Sequence, residues 1–234
     1  MRIVCISDTH TLHKQVTVPD GDMVIHAGDF SGHGTEGELR SFRHWFRSLP
    51  HRHKVCIAGN HDWTMDGFAF PWNHRGSTKT QMLRFEKLFE KDGIHYLRDR
   101  SVTLEGLKIH GSPWQPEFFN WAFNLPRGLQ LAQKWEQIPD DTDILITHGA
   151  PYGVMDHNSN DDRTGCEHLR HRLIFLDNLK LHVFGHIHEG YGIVTSPKRI
   201  YVNAAICNLR YEPVNAPIVV NIHPDPARLE GQGP

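Results

Sequence analysis

The sequence lacks three features that would each point to a particular class of protein. No apolar run approaches the roughly 18 residues that a membrane-spanning helix requires. The four cysteines form no C-x-x-C pair, which argues against a zinc finger. Neither sign of charge dominates, because 25 Lys and Arg stand against 27 Asp and Glu. This balance argues against partners such as extended nucleic acids or membrane surfaces.

No signal peptide is expected, because the chain enters an apolar strand-like run at Arg2. The expected location is therefore cytoplasmic and reducing, where cysteines stay unpaired. A chain of 234 residues fits one domain with a sizeable core. We expect that domain to span residues 1–223, and we expect the Pro- and Gly-rich stretch 224–234 to be a flexible tail.

Short apolar runs are present, and five of them are predicted to be buried strands. They are residues 3–6, 23–25, 55–58, 144–146 and 183–184. A polar residue or a glycine follows each run at once. Buried strands with polar groups at their carboxyl ends are typical of an open α/β sheet, in which those ends form the binding crevice.

Helices are predicted between these runs wherever apolar residues recur at helical spacing. The predicted helices cover 39–49, 82–89, 129–135 and 169–179. Short strands are predicted at 102–104, 107–109, 193–195, 200–202 and 218–222, and the segment 104–107 reads as a hairpin turn. The pattern as a whole indicates the α/β class.

The polar segments after the five apolar runs are rich in His and Asp. They are Asp8-Thr9-His10, Gly28-Asp29, Gly59-Asn60-His61-Asp62, Thr147-His148-Gly149 and Gly185-His186-Ile187-His188. Singly, several of them also fit ordinary structure: Asp8 and Asp29 suit strand-ending turns, and Asp62 suits a cap on the segment that follows. Together they supply oxygen ligands and imidazole nitrogens, the mixture that binds divalent transition metals. Five such segments, each at a strand end, favour a metal centre.

The ordered set resembles the five-motif signature of the calcineurin-like metallophosphoesterases. The resemblance implies a four-layer α/β/β/α sandwich of two mixed sheets flanked by helices. It also implies a binuclear centre in which two metals share one bridging carboxylate. The implied ligands are Asp8, His10 and His188 for one ion, Asn60, His148 and His186 for the other, and Asp29 as the bridge.

The resemblance further implies hydrolysis of a phosphate ester by a metal-bridging hydroxide, because metal-bound water has a pKa of roughly 7. His61 resembles the non-ligand histidine of the family, a general acid or a stabiliser of charge on the leaving group. Asp62 is interpreted as the neighbour that fixes the His61 ring. The MPPED-type branch of this family typically uses manganese, and iron, zinc or cobalt would suit the same ligands.

Stretches outside the metal motifs resemble the MPPED-type branch, which is related to the class III cyclic-nucleotide phosphodiesterases. These stretches are 111–117, 120–124, 146–151, 186–192 and 202–205. The branch implies hydrolysis of phosphodiesters, including cyclic nucleotides. Some members lose the first histidine of the last motif, whereas this chain keeps His186. A complete two-metal site is therefore expected.

One arginine of the superfamily's protein phosphatases is missing. Those enzymes follow the bridging aspartate with Asp-Arg-Gly, whereas Asp29 is followed here by Phe30-Ser31-Gly32-His33. A monoester dianion needs more fixed positive charge than a diester monoanion, so the sequence favours a diester. A phosphomonoesterase and a metal-binding scaffold with little turnover stay open as alternatives.

Aromatic residues are concentrated between 114 and 123, and two interpretations of them are open. They could form a wall on which a nucleobase stacks, or a hydrophobic plug over the sheet. The candidate substrate-binding residues are Trp114, Phe118, Trp121 and, beyond the bridging motif, His33. The expected partner is a small phosphodiester or nucleotide, and the expected assembly is a monomer or a homodimer.

Overall fold

Two β-sheets lie face to face in the computed structural model, which describes residues 1–67 and 79–223. The strands are β1 (Arg2–Ile6), β2 (Met23–Ala27), β3 (His53–Ile57), β4 (Ile94–Tyr96), β5 (Arg100–Leu104), β6 (Leu107–Ser112), β7 (Gln115–Pro116), β8 (Asn124–Leu125), β9 (Ile144–Thr147), β10 (Leu181–Phe184), β11 (Gly192–Thr195), β12 (Ile200–Asn203) and β13 (Ile218–Asn221). The helices are α1 (Glu36–Ser48), α2 (Trp63–Asp66), α3 (Lys79–Lys91), α4 (Leu129–Trp135) and α5 (Glu167–Arg172). The expected tail, 224–234, lies outside the described residues.

Both large sheets are mixed. The first has the order β13-β1-β2-β3-β4, and the second has the order β11-β12-β10-β9-β6-β5. Neighbouring strands from β1 to β4 run parallel, as do β6, β9, β10 and β12, while β13, β5 and β11 add antiparallel edges. A parallel arrangement collects the carboxyl ends of the strands on one side, and the predicted metal motifs follow β1, β2, β3, β9 and β10.

Alternating side chains of β1 show how the core is divided. Ile3 and Cys5 lie in the apolar cluster between the two sheets, whereas Val4 and Ile6 join the cluster beneath the helices. Successive side chains of a strand point to opposite faces, so a strand covered on both sides reads as a continuous apolar run. Full burial of each such side chain contributes roughly 1.5–3 kcal/mol.

Helices cover the outer faces and complete the four-layer sandwich that the resemblance implied. Helix α1 buries Leu39, Phe42 and Phe46, and it begins at a capping box in which Thr35 and Glu38 bond to each other's backbone. Helix α3 also buries apolar side chains, those of Phe85 and Phe89. On α4 and α5, Leu131, Trp135 and Leu169 are buried in the outer cluster that also holds Leu145 and Phe184 of the second sheet. The predicted α/β fold is confirmed.

The helix predicted at 169–179 is shorter than its apolar spacing suggested. Helix α5 ends at Arg172, a 3-10 turn follows at Leu173–Phe175, and the chain then leaves the helix. The buried guanidinium of Arg199 donates to the carbonyl oxygens of Leu173 (2.6 Å) and Leu176 (3.0 Å). A distant arginine thus satisfies the last carbonyls of this segment, a contact that local spacing does not reveal.

Two further predictions are settled by the fold. The hairpin between β5 and β6 turns at Glu105 and Gly106, both with positive φ (48° and 75°), as a tight two-residue turn requires. All four cysteines are buried and free. Across the described ranges, none of the helices is long and apolar enough to cross a bilayer.

Candidate metal centre

The five His- and Asp-bearing motifs converge at the carboxyl ends of the central strands of both sheets. Three overlapping groups have their potential ligand atoms within 4.8 Å of one another. The groups are Asp8 with His10 and His188, His10 with Asp29 and His61, and Asp29 with His148 and His186. His10 is shared by the first and second groups, and Asp29 is shared by the second and third, so the three groups form one continuous cluster. The structure therefore brings together the residues that the sequence assigned to two metals.

Backbone strain is concentrated at these residues. Asp8, His10, Asp29 and His186 have φ of 51°, 39°, 54° and 67°, in the left-handed region that non-glycine residues seldom adopt. Backbone bonds such as Asp8 N to Gly28 O (2.9 Å) and His10 N to Asp29 O (3.0 Å) hold the turns in place. Strained residues persist where the surrounding structure over-determines them, and they cluster at functional sites.

Gly185 is required by close packing between the two sheets. A Cβ atom at this position would collide with the carboxylate of Asp8 and the hydroxyl of Ser7. With glycine there, the backbone N–H of His186 donates to both oxygens of Asp8 (3.1 and 3.0 Å). The last motif therefore lies directly against the first, although 178 residues separate them in the chain.

Two histidine rings are oriented by backbone carbonyls. Nδ1 of His148 bonds to the carbonyl oxygen of Ala27 (2.9 Å), and Nδ1 of His188 bonds to that of Asn208 (3.0 Å). A bond to a carbonyl places a proton on Nδ1 and turns Nε2 toward the acidic residues. Nε2 of His148 lies 2.9 Å from Asn60 Oδ1, and Nε2 of His188 lies 3.5 Å from Asp8 Oδ1.

Charges and burial at the site shift the pKa values of its histidines in opposite directions. Burial lowers the pKa of His148, but the charge of Asp29 and the hydrogen bond to it, together with the charge of Asp8 and the bond to Ala27, outweigh burial and raise that pKa to about 9. Burial favours the neutral form of Asp29 too, yet the surrounding histidines hold its pKa well below the ordinary value. Burial lowers the pKa of His10 to about 4 and that of His186 to about 3. The site thus holds positive charge at some positions and neutral imidazoles at others.

These donors fit a pair of divalent ions. Oδ2 of Asp29 lies 3.4 Å from Nε2 of His148 and 3.9 Å from Nε2 of both His10 and His61. Nε2 atoms of His10 and His188 lie 3.3 Å apart, so the two rings can share one proton or face one cation. Carboxylate, amide and imidazole donors in one buried cluster match the ligands of manganese, iron and zinc.

Asp62 makes different contacts from those the sequence suggested. It is buried and bonds not to the His61 ring but to backbone N–H groups of Gly59 (2.8 Å), Asp29 (2.9 Å) and Ser31 (3.0 Å). It does not cap α2 through its side chain either. Burial, with the nearby Asp29 charge, raises its pKa to about 8. The interpretation of Asp62 as a partner of the His61 ring is wrong; its carboxylate joins the backbones of two motifs.

His61 is oriented by other groups. Its Nδ1 bonds to the carbonyl oxygen of Gly32 (2.8 Å), and its ring stacks on Trp121 with centroids 4.2 Å apart. The backbone N–H of His61 donates to Asp29 Oδ1 (2.8 Å). Nε2 of His61 and Nε2 of His10 lie at the same distance, 3.9 Å, from Oδ2 of Asp29. This distance is therefore the same for His10, an expected metal ligand, and for His61, an expected general acid. The non-ligand role of His61 stays a prediction.

The aromatic segment 114–123 divides into a plug and a wall. Trp114 is buried, donates from Nε1 to Asp99 (2.8 Å) and carries Lys134 over its ring at 4.3 Å, so it does not line the crevice and its assignment to substrate binding is corrected. Phe118 is 45% exposed, lines the cavity and places its ring 5.3 Å from that of His186. Trp121 lies against His61. Trp114 therefore belongs to a buried plug, whereas a wall for a substrate at Phe118 and Trp121 stays a prediction.

The remaining candidate, His33, lies at the edge of the site. Its side chain is exposed and its ring centroid lies 6.4 Å from that of Trp121. It is absent from the described residues that line the crevice, a cavity of about 270 Å³ over the histidines. The structure thus places His33 near Trp121 and outside the crevice lining.

Several lining residues carry no metal-binding signature and were missed by the sequence. They are Asn158, Ser159, Thr164, Glu189, Leu209 and Tyr211. They come from loops after the second sheet's strands, and their residue types are common on any surface. Tyr211 is the most informative, since its ring lies 4.7 Å from the ring of His10. The strained φ of Tyr211, 58°, appears only in the folded structure.

Comparisons with known proteins agree with this architecture. The family model for calcineurin-like phosphoesterases matches residues 1–190. Human metallophosphoesterase domain-containing protein 1 is 42% identical over 234 residues, which cover 94% of this chain and 71% of that protein. A UPF0046 protein of Caenorhabditis elegans is 37% identical over 241 residues, covering 96% and 61%. Phosphopantetheinyl hydrolase of Mycobacterium tuberculosis has a similar fold, with a TM-score of 0.59, 14% identity and 96% coverage of both chains.

Proposed function

The chain belongs to the calcineurin-like phosphoesterase family, and on that premise we propose that it is a two-metal phosphodiesterase of small, nucleotide-like diesters. The family assignment makes the chain a metal-dependent hydrolase of phosphate esters. The narrower proposal concerns the bond cleaved: a diester, with cyclic nucleotides among the substrates. A phosphomonoesterase is the competing function.

The observation that carries the diester proposal is the charge of the crevice wall. Among the described residues that line the cavity, none is Lys or Arg, and two are acidic: the metal-ligand candidate Asp29 and, outside the metal motifs, Glu189. Nearby arginines have other partners: Arg163 pairs with Asp156 (2.9 Å) and Arg127 with Glu167 (2.6 Å). A monoester dianion carries one more negative charge than a diester monoanion. A cavity lining without Lys or Arg therefore disfavours the monoester.

The chain's own ligands define what would hold the metals. Asp8, His10 and His188 would hold one ion, Asn60, His148 and His186 the other, with Asp29 between them. When bound, two such ions supply a nucleophile derived from water at neutral pH and polarise the phosphoryl oxygens. We take manganese as the working metal, with iron, zinc or cobalt as other occupants of the same ligands.

His61 would act on the leaving group. Its Nδ1–H is held by the carbonyl oxygen of Gly32, and the stacked ring of Trp121 restricts its rotation. Nε2 then faces the cavity, where it can donate a proton or a hydrogen bond to the leaving oxygen. Positioned proton donors of this kind contribute roughly 10²–10⁴-fold to a rate.

The proposal is tested by comparing hydrolysis of bis-p-nitrophenyl phosphate and p-nitrophenyl phosphate. The protein is first stripped with a chelator and then supplied with manganese, and Asp177→Ala, which alters an exposed carboxylate, serves as a control for handling. Metal-dependent turnover that favours the diester is the expected result. A preference for the monoester would overturn the diester proposal, and metal binding without turnover of either ester would indicate a scaffold.

The proposal includes a setting for the enzyme. We propose a cytoplasmic, reducing compartment, which agrees with four buried and unpaired cysteines. We also propose that it works as a monomer or homodimer on small diffusible substrates, with neither a membrane nor an extended nucleic acid as partner. The formal net charge of −2 supports the last point.

A further inference from the structure

A turn after the last motif is organised by one asparagine. Oδ1 of Asn208 accepts from the backbone N–H groups of Arg210 (2.9 Å) and Glu212 (3.0 Å), and Nδ2 donates to Glu212 Oε2 (2.7 Å). Its backbone N–H donates to the carbonyl of Glu212, and its carbonyl accepts from the N–H of Tyr211, both at 2.9 Å. These bonds close the turn 208–212 on itself.

The same turn touches the metal centre. The carbonyl oxygen of Asn208 accepts the bond from Nδ1 of His188, and Tyr211 places its ring edge-on to His10, with centroids 4.7 Å apart and planes at 89°. The ring of Tyr211 also lies 5.8 Å from that of His188 and 6.0 Å from that of His61. The turn therefore fixes a ligand and an aromatic side chain together.

Tyr211 is more exposed than a packing role requires. The residue is 49% exposed, and two other large apolar residues of the same cavity, Phe118 and Leu209, are 45% and 56% exposed. Folding alone gives no reason to hold such surface open, least of all on a residue with φ of 58°. Apolar surface grouped in one cavity is typical of a ligand-binding site.

Other residues of the cavity have a different character. Asn158, Ser159 and Thr164 add uncharged polar side chains to the lining. The cavity thus offers aromatic and apolar surface together with polar groups, and the metal-facing histidines lie at its base. A group that is planar and apolar in one part and rich in hydroxyl or amide groups in another matches such a cavity.

We propose that Tyr211, held in place by the Asn208 turn, is a specificity-determining residue that contacts an aromatic ester group of the substrate, such as a nucleobase or an aryl ring. This inference rests on the proposed function, since it assigns a place to the second ester group of a diester. An aromatic ring over the metal-facing histidines selects planar groups and leaves the phosphate chemistry unchanged.

The test compares diesters that share a leaving group. Thymidine 5′-(p-nitrophenyl phosphate) and methyl p-nitrophenyl phosphate release the same nitrophenolate and differ in the group that Tyr211 would contact. In Tyr211→Leu, KM for the thymidine diester is expected to rise about tenfold or more, the range of base-stacking effects. The methyl diester, kcat and metal content should stay near wild type, and Tyr211→Phe should retain the aryl preference.

Phe175→Leu is the matched control, because Phe175 is 55% exposed and lies outside this cavity. Equal loss on both diesters in Tyr211→Leu, or no change on either, would overturn the proposal. A binding measurement separates this inference from the proposed function: calorimetry of manganese-loaded protein with p-nitrophenyl phosphate and methyl phosphate. If the wild type cleaves no diester yet binds the aryl phosphate more tightly through Tyr211, the subsite stands and the diester proposal fails.

Discussion

The two sheets contribute different halves of the metal centre. The first sheet supplies oxygens, from Asp8, Asp29 and Asn60, and the second supplies imidazoles, from His148, His186 and His188. His10 is the exception, an imidazole on the first sheet. We call these sets the oxygen half, with His10 included, and the imidazole half.

The halves also differ in what holds them. In the oxygen half, the buried carboxylate of Asp62 ties the Asp29 and Asn60 motifs together through backbone N–H groups of Gly59, Asp29 and Ser31. In the imidazole half, the orienting carbonyls come from elsewhere: Ala27 of the first sheet for one ring and the Asn208 turn for another. The oxygen half is fixed from within, whereas the imidazole half depends on correct packing of the two sheets.

The largest expected effect comes from removing the shared carboxylate. Asp29→Ala should lose both metals and reduce turnover to that of stripped protein, because Asp29 belongs to the group of His148 and His186 and its Oδ2 also lies 3.9 Å from Nε2 of His10 in the other group. His186→Gly, in the imidazole half, should weaken one metal and leave the other bound. Elemental analysis after gel filtration distinguishes the two results. Two metals retained by Asp29→Ala would remove its bridging role, and unchanged activity in His186→Gly would argue against a two-metal mechanism.

His61 gives a sharper test, because this imidazole comes from a first-sheet motif. His61→Ala should keep two metals and lose turnover by roughly 10²–10⁴-fold, as expected for loss of a positioned acid. The variant is assayed by kcat at saturating substrate and by metal content. His33→Ala, an exposed histidine of the preceding motif, is the matched control. A fall in metal content would show that His61 is a metal ligand. The oxygen half would then contain a second imidazole besides that of His10.

Sequence reasoning succeeded where chemistry is tied to a local pattern. Apolar runs gave the strands, and the residue types after them gave the candidate ligands, because an α/β sheet places polar motifs at strand ends. It failed where a contact joins distant segments: the Arg199 cap that follows α5, the backbone partners of Asp62, and Tyr211 over His10. Trp114 was misassigned for the same reason, since its partner Asp99 is 15 residues away.

The smallest expected effect concerns stability, and it compares matched histidines of the two sheets. His26 of β2 bonds to Thr9 Oγ1 (3.0 Å), and His182 of β10 bonds to Thr147 Oγ1 (2.8 Å), each beside a metal motif. Burial lowers the pKa of both to about 3, from an ordinary value of 6.5. Both are therefore neutral in the folded protein at pH 5, where the unfolded chain binds a proton at each.

Stability from each histidine is fully present above pH 6.5 and is lost as the pH falls toward 3, because the unfolded state then binds more protons. At pH 5 the loss from His182 amounts to about 2 kcal/mol relative to neutral pH. In urea unfolding of metal-free protein at pH 7.5 and 5, His182→Gln should therefore show a pH-dependent loss about 2 kcal/mol smaller than wild type. His44→Gln, an exposed position, should match wild type. If the free energy of unfolding of His182→Gln had the same pH dependence as wild type, His182 would bind its proton in the folded state. The second sheet would then accommodate a charged histidine beneath the imidazole half.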